Sequence, residues 1–194
     1  MRKLFVIGMA WMLSTGLAYP DALTNEDIDL HISKMHILNP AFVALRKKLE
    51  SVEELYDRMR GSSINNGFST IVEIGSSEKL AEFAILESLV TDNGYQSVIE
   101  WSQLNDRIET VFFTASNMAG VSRFINGKKT GINDGTNLFS WLEDESNPQD
   151  VRDTISDRLI ELCNLYCADQ SDLESVGNRY GDLLSAYDEL RKSR

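Results

Sequence analysis

The chain has 194 residues, with 19 Lys and Arg against 30 Asp and Glu, for a formal charge of −11. Phosphate binding needs clustered cations, so this balance argues against nucleic acid and against anionic membrane surfaces. A solvated acidic surface, or attraction to a basic partner, is what such a charge serves.

Residues 1–18 read as a cleavable signal peptide. Met1-Arg2-Lys3 give a basic start and residues 4–13 an apolar run too short to anchor in a bilayer. Gly16 and Ala18 stand at the minus-three and minus-one positions. The leader does not end in Cys, so no lipid attachment is expected. The mature chain would be residues 19–194, one domain, periplasmic or secreted, with 17 Lys and Arg against 30 Asp and Glu. A chain of this size buries roughly 70% of its unfolded surface and needs no metal or disulfide to hold a core. No later segment is apolar enough to be a transmembrane segment.

Thr24 with Asp27 resembles a capping box, and Ile28, Ile32 and Met35 follow at helical spacing. Asn39-Pro40 predicts the end of this helix and the start of a second, which carries Phe42, Leu45, Leu49, Val52, Tyr56 and Met59 in three-four steps to a stop at Gly61. Residues 61–76 read as a loop, with 71–74 too brief to assign to strand or helix. Ser77 then predicts the cap of a third helix, closed by Asn93-Gly94. Ser97 and Glu100 open a fourth, whose stripe of Trp101, Leu104, Ile108, Val111, Phe112, Ala115 and Met118 is the longest in the chain and should lie at the centre of the core. Turn formers dominate 126–147 around a short helix near 137–143. Asn147 as cap and Pro148 as first residue open a fifth long helix, and Ser171 with Glu174 opens the last. No run alternates with period two long enough for a sheet. The fold class expected is all-α: a single-domain antiparallel helical bundle of five long helices plus one or two short ones.

Cys163 and Cys167 are four apart. On a regular helix that places their Cα atoms about 6 Å apart with the side chains diverging, so a bridge needs the helix to distort or end there. A disulfide, two buried thiols and, less favourably, metal ligation all stay open. Gly177, Gly181 and Ser185 form a strip of small residues that admits a close helix, with Ala115 and Ala119 or Ser116 and Gly120 as the facing surface, or leaves a ligand groove. Trp101, Asn105 and Arg107 lie on or beside the long stripe; they form either a pocket wall or buried structural pairs. Phe139 and Trp141, in the short loop helix, are candidate anchors for a partner or a lid folded back on the bundle. Asp27, His31 and Met35 share a face, but they spread over two turns with no fourth ligand. An exposed helix edge is therefore expected, with no metal site and no cofactor.

The chain has no Gly-x-Ser-x-Gly, His-Glu-x-x-His or phosphate-loop motif. With only His31 and His36, nucleophile–base–acid arrangements are hard to build. Residues 94–108, running Gly-Tyr-Gln-Ser-Val-Ile-Glu-Trp-Ser-Gln-Leu-Asn-Asp-Arg-Ile, resemble segments of secreted helical proteins of Gram-negative bacteria. The resemblance implies no activity. The expectation is an exported cell-envelope protein acting as a non-catalytic binding module, in the manner of an accessory factor, inhibitor or immunity protein. Its partner would be another protein, with a basic one suiting the charge. Two alternatives are a paired-carboxylate hydrolase beside the Gly177-Gly181 strip and a carrier of a small apolar ligand.

Overall fold

The computed structural model describes residues 22–60, 67–125, 127–133 and 135–192. The leader at 1–18, the stop expected at Gly61 and the turn residues Asn126 and Asp134 lie outside the described residues. Nine helices are present among them: α1 (Asn25–Glu50), α2 (Glu53–Arg60), α3 (Gly67–Ser77), α4 (Ala81–Asp92), α5 (Val98–Val121), α6 (Leu138–Glu143), α7 (Gln149–Tyr166), α8 (Asp172–Asn178) and α9 (Tyr180–Lys192). A two-residue antiparallel ladder, β1 (Phe124–Ile125) against β2 (Lys128–Lys129), follows α5. The molecule is an all-α helical bundle, as its apolar periodicity predicts.

The helix boundaries depart from the sequence pattern in informative ways. α1 starts at the expected capping box: Thr24 Oγ1 accepts from Asp27 N at 3.2 Å, and the Asp27 carboxylate accepts from Thr24 N at 2.9 Å. It then runs through Pro40 rather than ending at Asn39. An interior proline costs about 3 kcal/mol. Leu38, Phe42, Leu45 and Leu49 are all buried on the continuing face, and each is worth roughly 1.5–3 kcal/mol. Packing therefore outweighs the proline. The seam that promised one helix to Met59 breaks instead at Ser51, leaving Val52 and Tyr56 exposed.

The expected loop at 61–76 contains helix α3. Its cap comes from elsewhere in the chain: the Asp106 carboxylate of α5 accepts from Phe68 N at 2.7 Å and Ser69 N at 2.9 Å. Those are the donors that a local cap residue would serve. Ser77 closes α3 rather than opening α4, its hydroxyl bonding back to Ile74 O at 2.9 Å. Ser97 caps α5, accepting from Glu100 N at 3.1 Å, while the Glu100 carboxylate returns to Gln96 N rather than to the cap itself.

Asn137 caps α6 by accepting from Ser140 N at 3.2 Å. Asn147 does not cap α7; its amide donates to Trp141 O at 2.9 Å, and Pro148 takes the cap position. α7 ends at Tyr166, and Cys167 turns extended with φ −79° and ψ 150°. That turn brings the Cys163 and Cys167 Cα atoms to 4.7 Å, joined by a disulfide. The single last helix expected from Ser171 is two, α8 and α9, parted at Arg179. Ser171 makes no side-chain cap bond.

Two buried apolar clusters share α5. One gathers Leu38, Phe42, Leu45, Leu49, Ile71, Leu86, Val90 and Trp101. The other gathers Ile28, Ile108, Val111, Phe112, Ala115, Leu138, Ile155, Val176, Tyr180 and Leu183. Leu104 packs against both. α5 is enclosed closely enough that four consecutive residues, Asn105 to Ile108, are buried.

Arg107 meets this burial with a partner from α8. Its guanidinium grips Asp172 through Nε at 3.0 Å and Nη2 at 2.7 Å. Asp172, fully buried, also accepts from Leu23 N at 3.0 Å. Breaking a buried ion pair by removing one partner leaves the other charge uncompensated. Asp172→Ala should therefore cost about 3–5 kcal/mol in urea unfolding. Asp29→Ala, at the exposed pair with Arg179, should cost under about 1 kcal/mol.

The small-residue strip receives the loop helix. A Cβ on Gly177 would sit 2.7 Å from Phe139 Cδ1 and 2.9 Å from its Cε1, whereas one on Gly181 would meet only Asn137 Nδ2 at 3.4 Å. The Phe139 ring of α6 is thus the nearest side chain to Gly177, while α8 as a whole also packs against α5. Gly177→Ala should destabilise by roughly 1–3 kcal/mol despite the better helix propensity of alanine. Gly181→Ala should unfold at or above the wild-type denaturant midpoint.

Candidate functional site: a cleft beside α5

Tyr187 of α9 reaches across to α5 and donates its hydroxyl hydrogen to Glu109 Oε1 at 3.2 Å. The hydroxyl also lies 3.4 Å from Nε2 of His31 on α1. With the Tyr187 proton directed at Glu109, its oxygen is left to accept, so His31 pairs as the Nε2–H tautomer. The three residues close one end of a cleft of about 250 Å³, whose other walls include Phe68, Trp101, Asn105, Phe112 and Phe113.

Burial governs the ionisation of this trio. It lowers the His31 pKa from 6.5 to about 4, leaving the imidazole neutral near pH 7. It raises the Glu109 carboxyl from 4.5 to about 7, opposed by the Tyr187 bond and reinforced by the charge of Asp106. Tyr187 is pushed well above its ordinary value by burial and by Glu109. Among the described residues Glu109 has no cationic partner: Arg46 pairs with Glu50 at 2.8 Å, and Arg191 lies 3.7 Å from Asp188.

A second groove, of about 530 Å³, adjoins the first across Phe68, Glu109 and Phe113. Its further walls are Phe42, Arg46, Ile71, Asp106, Thr110, Asn117 and Tyr166. Phe113 and Tyr166 are 49% and 50% exposed and flank it. Burial raises the Asp106 carboxyl, and the amides of Phe68 and Ser69 pull it back down.

The sequence candidates part company here. Trp101 and Asn105 both line the first cleft, and the Asn105 amide donates to Trp101 O at 2.6 Å. Arg107 faces away, toward Asp172. Gly177 lies in a separate surface hollow with Phe139, Leu142 and Leu173, and neither Gly177 nor Gly181 joins Trp101. Phe139 rests on Gly177, with its ring 5.3 Å from that of Tyr180, and Trp141 packs partly buried against the same cluster.

His31, expected on an exposed helix edge, is 4% exposed. Asp27 is spent on the α1 cap, and no group of three His, Cys, Asp or Glu able to hold a metal occurs among the described residues. Glu109 and Tyr187 went unremarked as functional groups. A carboxylate one residue past Ile108, beside the long apolar stripe of α5, was the available signal.

Glu109 and His31 pull stability in opposite directions with pH. A carboxyl with a raised folded pKa loses stability as pH climbs from about 4.5 to about 7. A histidine with a lowered folded pKa gains stability from about 4 to about 6.5. The two nearly cancel across their overlap. In Glu109→Gln only the histidine contribution survives. The stability of the variant relative to wild type should therefore improve steadily from about pH 5 to about pH 8, by on the order of 2 kcal/mol in urea unfolding.

No protein-family model, curated protein or solved structure matches the chain, so the chemistry of this cleft stands on its own geometry.

Proposed function

We propose that the protein is an exported, non-catalytic binding module of the cell envelope that holds a protein partner against the outer face of α5. The observation that carries this reading is the pair Phe113 and Tyr166. Both rings stand half exposed over an open groove walled by Phe42, Phe68 and Ile71. Exposed aromatic side chains beside a groove are the usual anchors of protein recognition. Val121 and Phe124, 69% and 63% exposed, extend apolar surface beyond the same end of α5. The formal charge of −11 favours a basic partner by steering its approach. The leader-like residues 1–18 support export to the periplasm or beyond.

Paired-carboxylate hydrolysis fits less well. Asp106 and Glu109 share the groove, but both Asp106 oxygens hold amides of α3, which leaves one carboxyl free for chemistry. Carriage of a wholly apolar ligand is likewise at odds with walls that carry Arg46, Asp106 and Glu109.

Capture from envelope extract tests the partner reading. A Phe113→Ala, Tyr166→Ala double variant should lose about 2 kcal/mol of partner affinity, roughly 30-fold. A Phe139→Ala, Trp141→Ala variant that remains folded should retain the partner. Equal recovery by the Phe113/Tyr166 variant and wild type would refute the assignment of this face.

A further inference from the structure

The partner face leaves the inner cleft between α1, α5 and α9 unexplained. Its walls carry five aromatic rings, those of Phe68, Trp101, Phe112, Phe113 and Tyr187, beside the aliphatic Met35, Leu38 and Leu190. Two acceptors among its lining groups are open. Asn105 donates one of its two amide hydrogens to Trp101 O, and its side-chain oxygen makes no bond. Glu109 receives one bond, from Tyr187, on Oε1, and Oε2 has none. His31 is turned to the Tyr187 oxygen.

A partly buried carboxylate with no cation bonded to it is poorly compensated. The charged groups around Glu109 do not relieve it. Asp106 on the same helix repels it, Arg46 of α1 is engaged by Glu50, and Arg191 of α9 sits 79% exposed beside Asp188. Arg191 also lines the cleft but lies 3.7 Å from Asp188 and makes no ion pair with Glu109, so a cation with a body that suits aromatic faces would complete the site. Aromatic rings attract cations through their quadrupoles, most strongly where water is excluded.

We infer that this cleft binds a small organic cation, an amine or ammonium group on a compact apolar body, with the Glu109 carboxylate as counter-charge and the Asn105 oxygen as a second acceptor. The volume, about 250 Å³, falls below the roughly 300–1,000 Å³ of sites for drug-sized ligands, so a single-ring amine suits it better than a peptide. Tyr187 orients the carboxylate, and neutral His31 holds Tyr187 in that orientation without placing a competing charge in the site. The site does not depend on the protein-partner reading, since it is loaded by a small molecule in the purified protein.

The test is calorimetric titration of the purified, disulfide-bonded protein with benzylamine and with benzyl alcohol, its neutral counterpart. At about pH 8 benzylamine should bind at least about 10-fold more tightly than the alcohol. Lowering the pH to about 5 protonates Glu109 while the amine keeps its charge, and binding should weaken by a similar factor. Glu109→Gln should lose the preference for the amine and the pH dependence together, with its circular dichroism checked against wild type. No detectable benzylamine binding, equal affinity for the two probes, or a preference that survives in a folded Glu109→Gln protein would overturn the proposal. If the variant does not fold, the wild-type comparison of amine with alcohol at the two pH values decides alone. Neither result alters the outcome expected from capture with the Phe113/Tyr166 variant.

Discussion

The bonds between Arg107 and Asp172 hold together parts of the chain that the sequence keeps far apart. Asp172 lies at the start of α8, Arg107 at the middle of α5, and the Asp172 carboxylate also takes Leu23 N ahead of α1. Ser175 adds a second tie by donating to Leu23 O. Buried charge is tolerated only when its bonds are complete. The geometry that completes them fixes α1, α5 and α8 against one another. α9 follows α8 after a single residue, Arg179, so its register is fixed too. Tyr187 can reach Glu109 only because that register is set.

α5 is the element on which both core clusters and both grooves are built. Over the four residues from Asn105 to Ile108 it directs an amide toward the cleft, a carboxylate to the start of α3, a guanidinium to α8 and a sec-butyl group into the core. A helix that presents polar groups on several sides needs partners on each of them. The fold supplies a backbone amide pair, a buried carboxylate and a tyrosine hydroxyl. Asp106 takes two amides whereas Glu109 takes one hydroxyl, which is why the Glu109 charge is the less compensated and why its surroundings carry chemical interest.

Much of the architecture was legible because amphipathic periodicity is local. The long stripe of α5, the caps at Thr24 and Ser97, and the disulfide condition on the helix near Cys167 all depend on residues within a turn or two of each other. The misreadings share one cause. Pro40 is a local stop signal overruled by the buried side chains on either side of it, Leu38 before and Phe42, Leu45 and Leu49 after. α3 has a cap supplied from 37 residues away, which no local pattern records. Ser171 holds the cap position of α8 without a side-chain bond, while the next residue, Asp172, meets a guanidinium 65 residues away.

The sequence by itself determined an acidic, helical chain, its apolar stripes and the separation of its two cysteines, because each follows from composition or from spacing within one element. Only the tertiary structure decided that His31 is buried, that Gly177 makes room for Phe139, and that Glu109 meets Tyr187 rather than a cation. Those outcomes depend on which helix faces which. That is settled by the joint packing of side chains from distant segments, and no single segment encodes it.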